Sequence, residues 1–367
     1  MKRTVLLLTV SLLAALSMAA GGNVEKKDTL KYYEASEFEM LGKVYKDSLP
    51  VYSRIPQFLK PTTRKAVWNL GQNTAGIAIR FRSNASSITL KWVNAFNNAM
   101  GHMTPTGIRG LDLYCYMKGK WRFVNAARPT SPKESKWDVI ANMKPEEREY
   151  MLYLPLYDGL KSLKIGVDSA SYVAMPKKDV PKRKHPIVFY GSSIMQGGCA
   201  SRPGMAGTNI LGRMFNTEIF NFGFSGNAFI DYEVAHMMAE VDASVYVLDY
   251  VPNASPEQIM EKTEKFVEIL RNKRPDVPLV FVEDPIFPHS YFDQKMVEEI
   301  SGKNKAMNKV FKKMKSEGVK NIYLVKGEEI TVADAEGTVD GIHSTDVSFR
   351  QYADVLYPLL KKLIDEK

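Results

Sequence analysis

The sequence predicts two domains, an antiparallel β-sandwich followed by an α/β domain with a five-stranded parallel sheet. The 367 residues exceed the usual size of one hydrophobic core, so two domains of ordinary size are expected. The hydrophobic pattern of the sequence changes near residue 185. Before it, short apolar or alternating segments occur, and after it, patterns of buried strands alternate with patterns of amphipathic helices. The first pattern is typical of antiparallel sheets, and the second is typical of a doubly wound parallel sheet.

The first twenty residues have the three-part pattern of a secretory signal. Lys2 and Arg3 precede an apolar run over residues 5–16, and small residues follow at 17–20, so we expect cleavage near Ala19 or Ala20. The apolar run is too short to span a bilayer, and no Cys ends the signal to accept a lipid anchor. The sequence therefore predicts export to the periplasm or the medium, without a stable membrane anchor.

Charge does not favour a nucleic-acid partner. The formal net charge is +9, but the densest basic run, residues 177–184, contains a proline and no aromatic residue. Such a run indicates a solvated linker rather than a phosphate-binding patch. We therefore expect a linker at 177–185, between a β-sandwich domain over 26–176 and an α/β domain over 186–367.

The cysteines and histidines do not indicate a metal. Cys115 and Cys199 are the only cysteines, one in each expected domain, and we expect two buried thiols rather than a disulfide. The five histidines are scattered along the chain, and no Cys/His group has the spacing of a zinc site. The sequence predicts neither a metal nor a cofactor.

The sandwich is predicted from short segments bounded by Gly, Pro and Asn. No helical period of useful length appears in this half of the chain. The segments suffice for two facing sheets, although their order is not predictable. The candidate strands cover residues 75–82, 87–93, 111–117, 121–124, 149–154 and 162–167.

The second half predicts a parallel sheet with helices between its strands. Ser255, Pro256 and Gln258 form a capping-box helix start. In such sheets functional groups gather at the carboxyl ends of the strands. The predicted strands cover 186–190, 218–222, 245–249, 279–282 and 321–325, and the predicted helices cover 256–273, 292–316 and 346–364.

A serine stands where the first parallel strand turns into a helix. Residues 190–198 read Tyr-Gly-Ser-Ser-Ile-Met-Gln-Gly-Gly and include Ser193. A hydroxyl on such a turn is exposed and its own backbone N–H points the same way, which suits a nucleophile that also stabilises an oxyanion. The same residue types also form ordinary loops. Ser225 is a rival, because Gly223 to Asn227 falls one residue short of the pattern Gly-x-Ser-x-Gly.

Asp340 and His343 stand just before the last predicted helix. An Asp three residues ahead of a His can orient the imidazole and stabilise its cation, which leaves the other ring nitrogen free to take a proton from a serine. The alternative is a turn Asp and a surface His near a helix start. His102 and His289 are expected to be either substrate contacts or structural residues.

Two further strand ends carry groups that can stabilise an oxyanion. Gly226 follows the second strand and Asn253 the third, and each donor would be worth about 3 kcal/mol in rate. A turn glycine and a helix-capping Asn are the alternatives. Glu283 and Asp284 end the fourth strand, but adjacent strand residues point to opposite faces, which argues against a glycosidase pair of carboxylates.

Together these positions resemble a known family. Four residues, in chain order, are similar to the four motif blocks of SGNH (GDSL-like) hydrolases, namely Ser193, Gly226, Asn253 and His343. Asp340 matches the Asp that precedes the His in that family. Residues 110–114, Gly-Leu-Asp-Leu-Tyr, resemble the GxDLY motif of a companion amino-terminal domain, and residues 191–204 resemble its catalytic partner. Ser192 replaces the usual Asp of Gly-Asp-Ser, and Val-Pro-Asn-Ala at 251–254 replaces Gly-x-Asn-Asp.

The resemblance implies a flavodoxin-like three-layer domain, a jelly-roll-like sandwich before it, and an exported bacterial carbohydrate esterase. Ser193, His343 and Asp340 would form the catalytic triad, with Ser193, Gly226 and Asn253 as the oxyanion hole. The substrate would be a short acyl ester, most simply acetyl, on a polysaccharide, and no cofactor would be needed. Some aromatic side chains of the first domain would stack on sugar rings while others fill the core, the candidates being Trp68, Trp92, Trp121 and Tyr114.

Two alternatives stay open at this point. One is a lipid esterase or acyl-thioesterase with the same triad, which a wide apolar groove beside Ser193 would favour over a shallow polar cleft. The other is an inactive glycan-binding relative, which a lack of turnover on every activated ester would favour.

Overall fold

The computed structural model describes residues 29–179 and 183–365. The predicted signal at residues 1–20 lies outside the described residues, as do residues 180–182 of the predicted linker. Within the described ranges no helix has the length and apolar character needed to cross a membrane.

The region up to residue 179 consists mainly of antiparallel strands. Short 3₁₀ turns lie at Ala35–Glu37 and Gln57–Leu59. Its helices are α1 (Lys65–Gly71) and α2 (Pro105–Arg109). Its strands are β1 (Lys31–Glu34), β2 (Glu39–Leu41), β3 (Ala78–Ser83), β4 (Ile88–Asn94), β5 (Leu111–Met117), β6 (Lys120–Ala127), β7 (Glu134–Ile140), β8 (Arg148–Tyr153), β9 (Leu160–Val167) and β10 (Val173–Ala174).

These strands form two antiparallel sheets. One has the order β1-β9-β4-β7, and the other has the order β10-β3-β8-β5-β6 with β2 paired to β3. Alternate residues of both sheets are buried in one hydrophobic core, for example Phe81 on β3 and Trp92 on β4. Two sheets that share one core in this way have the arrangement of a sandwich.

The region from residue 183 alternates strands and helices. Short 3₁₀ turns lie at Pro203–Met205 and Pro288–Tyr291. The strands are β11 (Arg183–Gly191), β12 (Thr217–Gly223), β13 (Val245–Asp249), β14 (Leu279–Val282) and β15 (Ile322–Val325). The helices are α3 (Ser193–Gln196), α4 (Gly207–Phe215), α5 (Tyr232–Ala239), α6 (Pro256–Lys273), α7 (Gln294–Ser316), α8 (Gly327–Ile330) and α9 (Asp346–Asp365).

The parallel sheet has the order β12-β11-β13-β14-β15. One face packs against α5, α6 and α7, and the other packs against α4 and α9, so the region has three layers. Because β12 and β13 lie on opposite sides of β11, the chain changes direction at β11, and a crevice opens at the carboxyl ends of these strands.

Each predicted strand and helix is present, with its ends within a few residues of the prediction. The capping box at α6 is confirmed, since Ser255 Oγ accepts from Gln258 N at 3.2 Å and Gln258 Oε1 accepts from Ser255 N at 3.0 Å. The helices described in the first half, α1 and α2, have seven and five residues, in agreement with the lack of a longer helical period in its sequence. In the second half and the sandwich, the sequence also did not predict four strands and three helices that have weak patterns, namely β1, β2, β7, β10, α4, α5 and α8.

The two motif segments that the sequence singled out contact each other across the two regions. Asp112, in the middle of the Gly-Leu-Asp-Leu-Tyr motif, is fully buried, and its Oδ2 accepts from Arg202 Nη1 at 2.6 Å and Gly204 N at 2.8 Å. Arg54 of the first region donates to the carbonyl oxygens of Asn221 and Gly223 at 2.9 and 2.7 Å. The carboxyl end of β12 is therefore held by a side chain from the other region.

Candidate active site

The turn between β11 and α3 fixes Ser193 at the carboxyl edge of the sheet. Ser192 is the N-cap of α3, its Oγ accepting from Ile194 N at 3.3 Å while its N–H donates to Asp249 O at 3.2 Å. A Cβ at Gly191 would lie 2.3 Å from the Asp249 carbonyl oxygen, so only glycine permits this close approach. Ser193 is 6% exposed and is the first residue of α3.

Asp340 holds His343 in a tight turn before α9. Asp340 Oδ2 lies 2.7 Å from His343 Nδ1, and its Oδ1 accepts from His343 N at 2.8 Å and Ile342 N at 3.1 Å. Partial burial raises the pKa of Asp340, but these hydrogen bonds outweigh it and lower the pKa to about 2. An ionised Asp340 keeps the proton of the imidazole on Nδ1, which leaves Nε2 able to accept another.

The structure brings four of the predicted residues into one cleft of about 380 Å³: Ser193, Gly226, Asn253 and His343. Asp340 does not line the cleft itself, and it is bonded to His343, which does. Gly226 adopts φ +64°, and a Cβ there would meet no atom within 4 Å. The turn therefore leaves the backbone at Gly226 open to a ligand.

Asn253 keeps a fixed orientation although its motif departs from the common one. Its Oδ1 accepts from Ala228 N at 3.2 Å, and its N–H donates to Tyr250 O at 3.0 Å. Since the oxygen of the amide is bound to the protein, the Nδ2 group is the part available to a ligand in the cleft.

Ser225 also lines the cleft, so position alone does not separate it from Ser193. Its hydroxyl lies near the Tyr157 phenol, whose O–H donates to Ser193 O at 3.2 Å and whose pKa burial raises above its ordinary value. A neutral phenol does not act as a base toward a serine at neutral pH. The environment therefore favours Ser193 as nucleophile over Ser225.

The walls of the cleft are partly apolar and partly charged. Asp284, Glu299 and Lys303 form the charged part. The apolar part comprises Ile194, Phe287, Met296, Ile300 and Ile342. The cleft is thus neither a wide apolar groove nor a purely polar one.

The fourth strand end separates its two acidic residues, as the alternation of strand side chains predicts. Glu283 Oε1 accepts from Lys326 Nζ at 2.9 Å, away from the cleft, whereas Asp284 lines the cleft. Burial raises the pKa of Asp284 to about 7, against the opposing effect of nearby Lys303. Reasoning from the sequence rejected a glycosidase pair here and missed that Asp284 reaches the cleft.

His102, although distant from His343 in the sequence, lies beside it in the fold. Its ring lies 5.0 Å from the ring of His343, tilted by 32°. Ligand atoms of His102, Cys199 and His343 all lie within 4.8 Å of one another. Burial raises the pKa of the Cys199 thiol to about 12, so the free thiol is protonated at neutral pH.

Other expectations concern residues that do not line the cleft. Cys115 and Cys199 are both buried free thiols, as predicted. His289 packs against the turn at Gly341, where an added Cβ would lie 2.3 Å from the imidazole. None of the four aromatic candidates for sugar stacking lines this cleft, and Trp92 and Tyr114 are buried in the first region.

Family comparisons cover most of the described chain. Residues 184–361 match the model of the GDSL-like lipase/acylhydrolase family. Residues 30–173 match the GxDLY model, described as the amino-terminal part of SGNH-hydrolase-type esterases. A comparison with proteins of curated function found no match.

Solved structures with both regions resemble this chain. A protein from Bacteroides ovatus ATCC 8483, described as a GDSL-like lipase, is 36% identical with a TM-score of 0.87, over 92% of this chain and 98% of its own. The salicylyl-acyltransferase SsfX3 from a tetracycline biosynthetic pathway is 13% identical with a TM-score of 0.70, over 91% and 98%. An acetyl xylan esterase from the rumen bacterium Butyrivibrio proteoclasticus is 12% identical with a TM-score of 0.54, over 92% and 98%. The last two share the fold.

Proposed function

Because the chain belongs to the GDSL-like lipase/acylhydrolase family, with a GxDLY amino-terminal region, we propose that it is an exported serine esterase that removes short acyl groups, most simply acetyl, from a polysaccharide. The observation that carries the proposal is the bond of 2.7 Å between Asp340 and His343 beside a cleft that Ser193 also lines. Export is supported by the signal-like pattern at residues 1–20.

The proposed mechanism uses side chains and backbone only. His343 Nε2 takes the proton of Ser193 as its oxygen attacks the ester carbonyl, and Asp340 stabilises the imidazolium that forms. The N–H groups of Ser193 and Gly226 and the Nδ2 group of Asn253 donate to the oxyanion. His343 then protonates the leaving alcohol, and water, activated by the same imidazole, hydrolyses the acyl-enzyme. No step requires a metal or another cofactor.

The cleft supports a small acyl group on a hydroxylated alcohol. A volume of about 380 Å³ accommodates an acetyl ester together with part of a sugar. The charges of Asp284, Glu299 and Lys303 suit a polar alcohol better than a lipid. The likeness in fold to an acetyl xylan esterase and to carbohydrate esterases is consistent with this choice.

A second candidate is a lipid esterase or acyl-thioesterase that uses the same triad. The apolar wall that includes Phe287, Met296 and Ile300 is the observation that favours it. An acyl chain longer than acetyl would lie along that wall.

The proposal is tested with p-nitrophenyl acetate, butyrate and octanoate, using the mature protein and its Ser193→Ala variant, followed by acetate release from acetylated xylan. We expect acetate to be preferred, Ser193→Ala to be inert, and Ser225→Ala to retain activity. Preference for octanoate would favour the lipid esterase. Full activity of Ser193→Ala would disprove the mechanism, and a correctly folded wild type without activity on any ester would favour an inactive glycan-binding relative.

A further inference from the structure

Asp284 is a buried acid whose side chain lacks hydrogen-bond donors. It follows β14 and lines the cleft beside Ser193 and Asn253. Its side chain is 0% exposed, and within the described residues neither carboxylate oxygen has a hydrogen-bond partner. A buried carboxylate without donors costs free energy, so such groups are normally paired with a donor or a ligand.

Glu283, the acid next to Asp284, does have hydrogen-bond donors. Glu283 accepts from Lys326 Nζ at 2.9 Å and Gly327 N at 3.1 Å, and also from Asn308 Nδ2. Asn304 binds the backbone of Asp284 on both sides, at 2.8 and 3.0 Å. The backbone of Asp284 is therefore fixed, while its buried carboxylate has no hydrogen-bond partner among the described residues.

Lys303 completes a polar row on the same wall. Its Nζ lies 3.5 Å from Asp284 Oδ2, a distance of ionic attraction rather than of a good hydrogen bond. The ammonium donates instead to Glu299 Oε1 at 2.7 Å and to Pro252 O at 3.1 Å. The donors of the ammonium are therefore engaged within this wall, where its charge balances that of Asp284, and the oxygens of Asp284 remain acceptors for the O–H donors of hydroxyl groups.

We propose that Asp284, with Lys303 beside it, binds neighbouring hydroxyl groups of the alcohol part of the substrate, and so selects esters of sugars over esters of simple alcohols. This inference rests on the proposed function. A short acyl group has no hydroxyl to donate, so the donors for Asp284 come from the alcohol. The two oxygens of one carboxylate can accept from two adjacent hydroxyls of a sugar ring.

The test compares two acetyl esters that differ in the alcohol, a monoacetylated methyl xyloside and p-nitrophenyl acetate. At pH 8, above the raised pKa of Asp284, Asp284→Asn should lower kcat/KM for the xyloside ester roughly 10- to 100-fold, mainly through KM, because a hydrogen bond to a charged acceptor is lost. Activity on p-nitrophenyl acetate, whose alcohol part has no hydroxyl for Asp284 to bind, should fall by a much smaller factor than activity on the xyloside ester. Asp284→Leu, which keeps a similar volume without polar atoms, should show the same selective loss.

Glu283→Gln is the matched control, since it makes the same carboxyl-to-amide change one residue away and outside the cleft. It should affect neither ester. An equal loss on both esters in the Asp284 variants would mean that Asp284 only shapes the cleft, and an unchanged xyloside reaction would mean that it binds no hydroxyl. Either result overturns the inference.

Calorimetric binding separates this inference from the proposed function. Binding of the acetylated xyloside to the Ser193→Ala variant requires no turnover, and adding Asp284→Asn should weaken it by the same factor. If the wild type hydrolyses no ester but this binding loss is seen, the proposed function fails and the hydroxyl subsite stands. If esters are hydrolysed and the binding loss is absent, the subsite fails alone.

Discussion

At the residue scale, the three hydrogen bonds that Asp340 accepts define what its replacement should do. Asp340→Asn keeps the size of the side chain but presents an NH₂ group to His343 Nδ1, which favours the wrong tautomer of the imidazole. We expect kcat on p-nitrophenyl acetate to fall roughly 10²- to 10⁴-fold with little change in KM. Asp334→Asn, in the same loop and bonded only locally to Glu336 N, is the control and should keep full activity. Equal kcat values for the two variants would remove Asp340 from the mechanism.

A second residue, Asp249, should make stability depend on pH. It is fully buried at the end of β13, where burial raises its pKa to about 7, against a hydrogen bond from the Tyr352 hydroxyl at 2.9 Å. An acid with a raised pKa in the folded state binds more protons folded than unfolded, so stability falls as pH rises from about 4 to about 7.

Asp249→Asn removes this ionisation and should therefore stabilise the protein more at high pH than at low pH. The gain in free energy of unfolding at pH 8 should exceed the gain at pH 5 by roughly 2–3 kcal/mol, since about two pKa units separate pH 5 from the raised pKa. Urea unfolding at the two pH values measures the difference. A gain that is the same at both would show that Asp249 does not carry the dependence.

At the element scale, the turn before α9 depends on a glycine. Gly341 has φ +87°, and an added Cβ would lie 2.3 Å from the His289 ring. Gly318, after α7, has φ +86° but nothing within 4 Å of an added Cβ. Gly318→Ala should therefore cost only the backbone strain, about 1–2 kcal/mol, and leave kcat unchanged.

Gly341→Ala should cost more than Gly318→Ala and should also lower kcat, because the same turn positions Asp340 and His343. Thermal unfolding and p-nitrophenyl acetate hydrolysis of both variants check this. If Gly341→Ala keeps wild-type kcat, the turn tolerates the shift without moving the imidazole.

The elements that could be predicted from sequence are those whose pattern is local. The five parallel strands are apolar runs, and α6 carries its own capping box, so the sequence places both close to their observed ends. By contrast, α4 begins Gly-Thr-Asn and contains Gly212, residues with weak helix propensity, and it is buried against α9. Its stability comes from packing, which no local pattern shows.

At the scale of the whole molecule, the limits of sequence reasoning follow from distance along the chain. Strand ends of a parallel sheet meet at one edge, so the sequence alone suffices to expect Ser193 and Asn253 in one cleft. His102 lies far from His343 in the sequence and reaches it only because the first region packs against the second. In the sequence, Lys303 is one of many charged residues on α7, so nothing local distinguishes it. Its contact with Asp284 depends on how that helix packs against the sheet.

The contact between the two regions should also make them unfold together. Asp112 Oδ2 binds Arg202 and Gly204, just beyond the turn that carries Ser193, so the motif of the first region holds the chain that follows the nucleophile. Asp112→Asn leaves the partly exposed Arg202 guanidinium without its ionic partner and should cost about 1–3 kcal/mol. We expect the wild type to unfold in a single calorimetric transition and the Asp112→Asn variant to unfold in two.

The control is a substitution within one sheet of the first region. Asp138→Ala removes the acceptor of a bond from Thr89 Oγ1 within one sheet and should lower the Tm while keeping one transition. A single transition in both variants would show that Asp112 does not couple the regions, and that contacts such as those of Arg54 suffice.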